Sequence, residues 1–152
     1  MSKNNGFIYF LAIVKFIIPY LLQSNIYEPH RDEFLYLAEG HHLAWGFMEI
    51  PPFLSIFAWL THLFGDGIFW IKFWPDLFGV LTFIITAKII QSLGGKAFAI
   101  FLGFIPFVFG VYLRLFFFFQ PHPPEFFFWP MMACTLIRFI HTTKTNSLYI
   151  VV

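Results

Sequence analysis

The sequence predicts an all-helical, polytopic membrane protein of about four crossings with two juxtamembrane helices in the first external loop. Three observations carry that expectation. Of its 152 residues 59% are hydrophobic and only 11% charged, whereas soluble domains carry about a quarter charged residues. The apolar residues fall in long runs parted by glycine, proline and polar clusters. The charges are sorted along the chain by sign. A net charge of +1 and the lack of any basic run with interleaved aromatics give no case for a nucleic-acid partner. The single cysteine, Cys134, allows neither an internal disulfide nor a cysteine-based zinc site.

Gly6 to Leu22 is the first transmembrane run, interrupted by Lys15 and by Pro19 near its end. A cleaved signal peptide is the rival reading, but Leu22-Gln23-Ser24-Asn25-Ile26 is a poor cleavage site. Lys15 is expected to snorkel or to face a neighbouring helix in a structural role. The polar island Ser24 to Ile50 follows. Within it a helix is expected over Asp32 to Trp45, stopped by Gly46. At 100° per residue Tyr36, Glu39 and Leu43 fall within about 40° of Asp32, while Phe34, Leu37, Ala38, His41 and Trp45 gather opposite. One face would carry carboxylates and a phenol, and the other would lie on a membrane. Asp32 and Glu33 would occupy the first turn, where the helix dipole favours negative charge.

Pro51-Pro52 opens a second interfacial helix, Phe53 to Phe64, too short to span and closed by Gly65-Asp66-Gly67. Ile68 to Leu93 is the second transmembrane run, and Ala97 to Phe119 the third, with Pro106 and Gly110 as kink points. Gln120 to Pro124 reads as a turn that no helix runs through, so the fourth run is Glu125 to Ile140. The Phe116–Phe119 and Phe126–Phe128 runs read as lipid-facing bulk. The chain resumes after a polar loop with Leu148 to Val152, which looks like the opening of a further helix and suggests a piece of a longer protein.

With a cytoplasmic amino terminus, Lys3, Lys88, Lys96, Arg138 and Lys144 lie at cytoplasmic ends, as the positive-inside rule requires. The eight acids, Glu28, Asp32, Glu33, Glu39, Glu49, Asp66, Asp76 and Glu125, then fall at or beyond the outer ends. An active face would be outside. Asp76 is expected to pair with Lys72 at i,i+4. His41, His42 and His122 suit metal ligation by type, with packing or loop hydrogen bonds as the favoured reading.

The segments Arg31-Asp32-Glu33 with Tyr36-Leu37-Ala38, His42-Leu43-Ala44-Trp45-Gly46, Glu49 with Pro51-Pro52, Leu63-Phe64-Gly65-Asp66, and Phe119-Gln120-Pro121 with Glu125 and Phe128-Trp129 resemble the amino-terminal part of protein O-mannosyltransferase-like glycosyltransferases. These belong to the GT-C superfamily, and bacterial lipid A aminoarabinose transferases are relatives. The resemblance covers about residues 26 to 146, and the whole chain, 1–152, reads as the amino-terminal part of such a domain. It implies a multi-pass enzyme of the bacterial inner membrane that takes sugar from a polyprenyl-phosphate-linked donor, its active face outside. The acceptor would be a lipid, glycan or protein.

By motif position the resemblance implies that Asp32 is the catalytic carboxylate, with Glu33, Glu49 and Glu125 as further acids. Displacing a lipid phosphate needs a base for the incoming proton and cations for the leaving group. Arg31, Lys72 and Arg114, with Tyr36, are the candidate substrate-binding residues. Lys72 stands where relatives carry arginine, which is better suited to bidentate phosphate contacts. Paired carboxylates could instead hold a divalent metal, the one cofactor in view. The alternative to an enzyme is a non-catalytic truncated membrane protein or a small transporter or channel subunit. A transporter would place ionisable groups near the midplane.

Overall fold

The structure is a computed structural model that describes residues 5–24, 29–47, 51–65 and 67–142, with side chains to 140. Every regular element among them is a helix: α1 Asn5–Leu22, α2 Arg31–Glu39, α3 Phe53–Phe64, α4 Ile68–Ser92, α5 Ala97–Val108, α6 Val111–Leu115 and α7 His122–Thr142. The all-helical expectation is met.

Two of these, α1 and α4, are long and apolar enough to cross a membrane. At 25 residues α4 is about 37 Å long and forms the axis of the assembly, packing most extensively on α7 and then on α1 and α5. One apolar cluster joins Ile8, Leu11 and Ala12 of α1 to Phe83 and Ala87 of α4, Ile100, Phe104 and Phe107 of α5, and Phe116. Gly79 lets these layers approach. A Cβ there would stand 2.5 Å from Lys15 Nζ and 2.7 Å from Phe116 Cβ. A second cluster, Leu37, Leu54, Ala58, Ile71 and Phe119, seats α2 and α3 over the start of α4. The outward faces of α1, α5 and α7 expose Phe10, Ile13, Phe98, Leu102, Leu136 and Ile140.

Five expectations are corrected. Helix α2 stops at Glu39 rather than Trp45, because Gly40 passes so close to α3 that a Cβ would lie 2.7 Å from that of Ala58. Its buried stripe is Glu33, Leu37 and Gly40, rotated by about 100° from the face centred on Asp32. The third apolar run is broken. Pro106 removes a helical donor, and Gly110 follows at φ 87°, ψ −151°, a conformation open essentially to glycine alone. What is left of that run as α5 has 12 residues, about 18 Å, too few to cross by itself. Helix α7 begins at His122, so Pro123 and Pro124 lie in its first turn, where a missing N–H costs no helical bond. Finally, Phe116 and Phe119 are fully buried packing residues and not lipid-facing bulk.

Candidate functional site

Helix α2 begins with a reciprocal cap. The His30 backbone N–H donates to Glu33 Oε2 at 2.7 Å, and the Asp32 N–H donates to His30 Nδ1 at 3.4 Å. This cap turns Glu33 inward, where its side chain is wholly buried. There Lys72, one turn into α4, donates to Oε1 at 2.6 Å and to Oε2 at 2.7 Å. The Phe119 backbone N–H, arriving from the loop after α6, donates to Oε1 at 2.7 Å. A carboxylate offers about four lone-pair sites, and all of Glu33's are occupied. Glu33 therefore ties α2, α4 and the α6–α7 loop together and has no lone pair left to receive a substrate proton.

The loop it holds carries the phenylalanine run. Lys72 Nζ lies 5.4 Å from the Phe117 ring centre and 5.2 Å from that of Phe118. The Arg114 guanidinium lies 5.0 Å from the Phe118 ring, and the His30 ring 5.7 Å from it. Cations over aromatic faces are held in place without being neutralised. Around Phe118 the chain thus collects three basic side chains, and His30 brings Asp32 with it, its Oδ2 lying 3.5 Å from His30 Nδ1. Asp32 is partly exposed and meets Arg31 Nε only at 3.4 Å, so its lone pairs are weakly engaged. Arg31 itself is almost fully exposed.

Just beyond Phe119 a cleft of about 340 Å³ opens between the start of α3 and the start of α7. Pro51, Phe53, Pro121, Pro124 and Phe128 form its apolar walls, and Glu125 is its acid, 3.5 Å from His122 Nδ1. Tyr36 packs half-buried against the cluster around Ala58 and Phe119. Glu39 accepts a hydrogen bond from Ser55 of α3 at 3.2 Å. Glu49 lies outside the described residues, as do Glu28, Asp66, Lys3 and Lys144. Of the expected site residues, Glu33, Lys72 and Arg114 gather at the Phe118 loop, Asp32 reaches it through His30, Arg31 points into solvent beside Asp32, and Glu125 stands in the adjoining cleft. No group of three His, Cys, Asp or Glu side chains suited to a metal occurs among the described residues. His41 stacks on His62 at 3.9 Å instead.

The expected Lys72–Asp76 pair does not form. Lys72 is committed to Glu33, and Asp76 pairs with Lys15 of α1, both side chains wholly buried. Asp76 therefore sits inside the packed helices and not at an outer end, and Lys15 has the structural role of joining α1 to α4. Asp76 Oδ2 and Tyr20 Oη are buried with no hydrogen-bond partner among the described residues. Sequence reasoning missed three participants: His30, whose cap aims Glu33, and Phe118 and Phe119, which looked like lipid-facing bulk.

Searches against protein families, curated proteins and solved structures find no match.

Proposed function

We propose that the chain is the amino-terminal part of a membrane glycosyltransferase of the protein O-mannosyltransferase-like, GT-C kind. It moves a sugar from a polyprenyl-phosphate-linked donor to an acceptor hydroxyl on a lipid, glycan or protein at the outer face of a bacterial inner membrane. In this reading α1, α4, the broken α5–α6 segment and α7 make four crossings. The exposed apolar faces of α1, α5 and α7 support a lipid surround. One observation carries the reading. The separate segments that bear the resemblance, around Asp32, Pro51, Lys72 and Phe119 to Glu125, meet at one end of the helices.

The chemistry divides among these residues as follows. The acceptor oxygen attacks the anomeric carbon, the bond from that carbon to the phosphate oxygen breaks, and its electron pair leaves with the lipid phosphate. Asp32, with lone pairs to spare, takes the hydroxyl proton. Arg114 and Arg31 meet the developing phosphate charge, and their forked donors suit it. Lys72 acts indirectly, because its charge is already met by Glu33. Glu125 faces the sugar or acceptor from the apolar cleft. In the full-length protein Asp32→Asn should lower transfer by about 10²- to 10⁴-fold while leaving donor binding in place, since the amide keeps the shape but accepts no proton. A transfer assay with a polyprenyl-phosphate sugar checks this. Near-normal turnover would remove Asp32 from the chemistry.

A small transporter subunit is the second reading, and the Lys15–Asp76 pair inside both candidate spans favours it. Proteoliposome ion flux that is abolished by Lys15→Met with Asp76→Leu, in a protein without sugar-transfer activity, would select it.

A further inference from the structure

At His30 the hydrogen bonds of the helix cap fix the position of a proton. Its Nδ1 accepts the Asp32 backbone N–H at 3.4 Å, and a first-turn amide of this kind has no partner within its own helix. A ring nitrogen that accepts carries no proton, so the imidazole is neutral and its single N–H is at Nε2. The His30 backbone is extended, at φ −63° and ψ 147°, and its N–H donates to Glu33 Oε2 at 2.7 Å. Backbone and side chain are thus both tied to α2, which sets the orientation of the ring as well as its tautomer. The two ring nitrogens point apart, so the Nε2 edge turns away from the helix backbone, and the side chain is half exposed. Beside it stands Phe118, whose ring centre lies 5.7 Å from that of His30 and 5.0 Å from the Arg114 guanidinium. Arg114 is exposed as well. A neutral N–H and a guanidinium therefore adjoin one aromatic ring, and in these protonation states neither Nε2 nor the guanidinium accepts. Phosphate oxygens only accept, and they suit both. Being neutral, His30 adds a donor without pairing with the Asp32 carboxylate, which lies 3.5 Å from Nδ1.

We propose that His30 binds the lipid-linked phosphate: its Nε2–H donates to a phosphate oxygen of the polyprenyl-phosphate-linked sugar, next to Arg114. This rests on the sugar-transfer reading and adds to it a residue that the division of roles above leaves out. Cap and ligand use opposite edges of one ring, so a single side chain starts α2 and holds the phosphate beside Asp32. Inorganic phosphate offers the same oxygens, and the two sources are told apart by titrating each.

Substitution separates the two edges. His30→Asn puts a carbonyl oxygen about where Nδ1 stands, and asparagine is a favoured N-cap, but the Nε2 donor is gone. The full-length protein in dodecylmaltoside would be titrated with undecaprenyl phosphate and, separately, with sodium phosphate. His30→Asn should weaken undecaprenyl phosphate binding about tenfold, as expected for one lost hydrogen bond to a charged oxygen, while keeping the melting temperature. His30→Ala loses both edges and should lower the melting temperature too. Unchanged affinity in His30→Asn would overturn the contact and leave the sugar-transfer reading standing, whereas an unaltered protein that binds no undecaprenyl phosphate would overturn both. Equal affinity for sodium phosphate would overturn the lipid-linked phosphate as occupant. On the unaltered protein, nitrogen-15 spectra of the histidines should show His30 protonated at Nε2 and bare at Nδ1, with the Nε2 signal moving when undecaprenyl phosphate is added. A proton on Nδ1, or an Nε2 signal that the lipid leaves in place, would overturn the proposal even if no variant folds.

Discussion

Asp32 and Glu33 are neighbours of the same chemical type, yet their surroundings give them opposite duties. Glu33 accepts from Lys72, His30 and Phe119 in a buried pocket, while Asp32 sits partly in solvent beside Arg31. Removing one partner of a buried ion pair typically costs about 3–5 kcal/mol, because the other is left uncompensated. Glu33→Met should therefore destabilise the protein by about that much, and Asp32→Asn by less than about 0.5 kcal/mol. Thermal unfolding in detergent distinguishes them. Glu33→Met combined with Lys72→Met should cost clearly less than the two singles summed, as removal of both charges strands neither. The sequence showed that an acidic pair opens a helix, but not which acid turns inward. Periodicity locates a face only to within about one residue's rotation, 100°, and here the inward turn is decided by Lys72 and the Phe119 N–H, 39 and 86 residues away in sequence. Likewise Lys72 and Asp76 share a helix face, but each has a buried partner on another helix, Glu33 and Lys15, and a charge-assisted buried contact outweighs an i,i+4 pair of a few tenths of a kcal/mol.

Helix existence was legible at α1, α3 and α4, where long apolar runs end at polar or glycine-rich segments. Boundaries were less so, since they depend on close approaches and backbone angles that hydropathy does not encode. Gly110 is the clearest instance. Its φ of 87° and ψ of −151° turn the chain between α5 and α6, which brings Phe116 back onto α1 and α4 and delivers Phe119 to Glu33. Gly110→Ala should cost about 1–3 kcal/mol through backbone strain alone, although a Cβ there meets no neighbouring atom within 4 Å. A loss well below 1 kcal/mol in the same unfolding assay would mean that the break relaxes without it. Gly79→Ala tests the other mechanism, since its Cβ would collide with Lys15 and Phe116 in unstrained backbone, and overpacking of this kind costs about 1–3 kcal/mol.

For the molecule as a whole, the two ends of α4 carry different chemistry: Lys72 with the acids of α2 at one, Lys88 with Arg138 of α7 at the other. In the proposed membrane arrangement these ends face opposite aqueous phases. With Cys134→Ser as background, a cysteine at His42 or His122 should label from outside only, and one at Lys96 from the cytoplasm only, since all three positions are exposed. Impermeant maleimide on intact and lysed cells reads this directly, and labelling of all three from one side would refute the arrangement. The Lys15–Asp76 pair has a consequence for synthesis as well. The two residues are 61 positions apart, and at about 5–20 residues per second Asp76 is made roughly 3–12 s after Lys15. In the proposed membrane arrangement the first helix then carries an ammonium group with no counter-charge, and it would wait at the protein-conducting channel or the lipid boundary until α4 is delivered. In that arrangement α4 commits α1 to the membrane, and Lys15→Leu should free α1 to integrate early while depriving α4 of the contact that orients it.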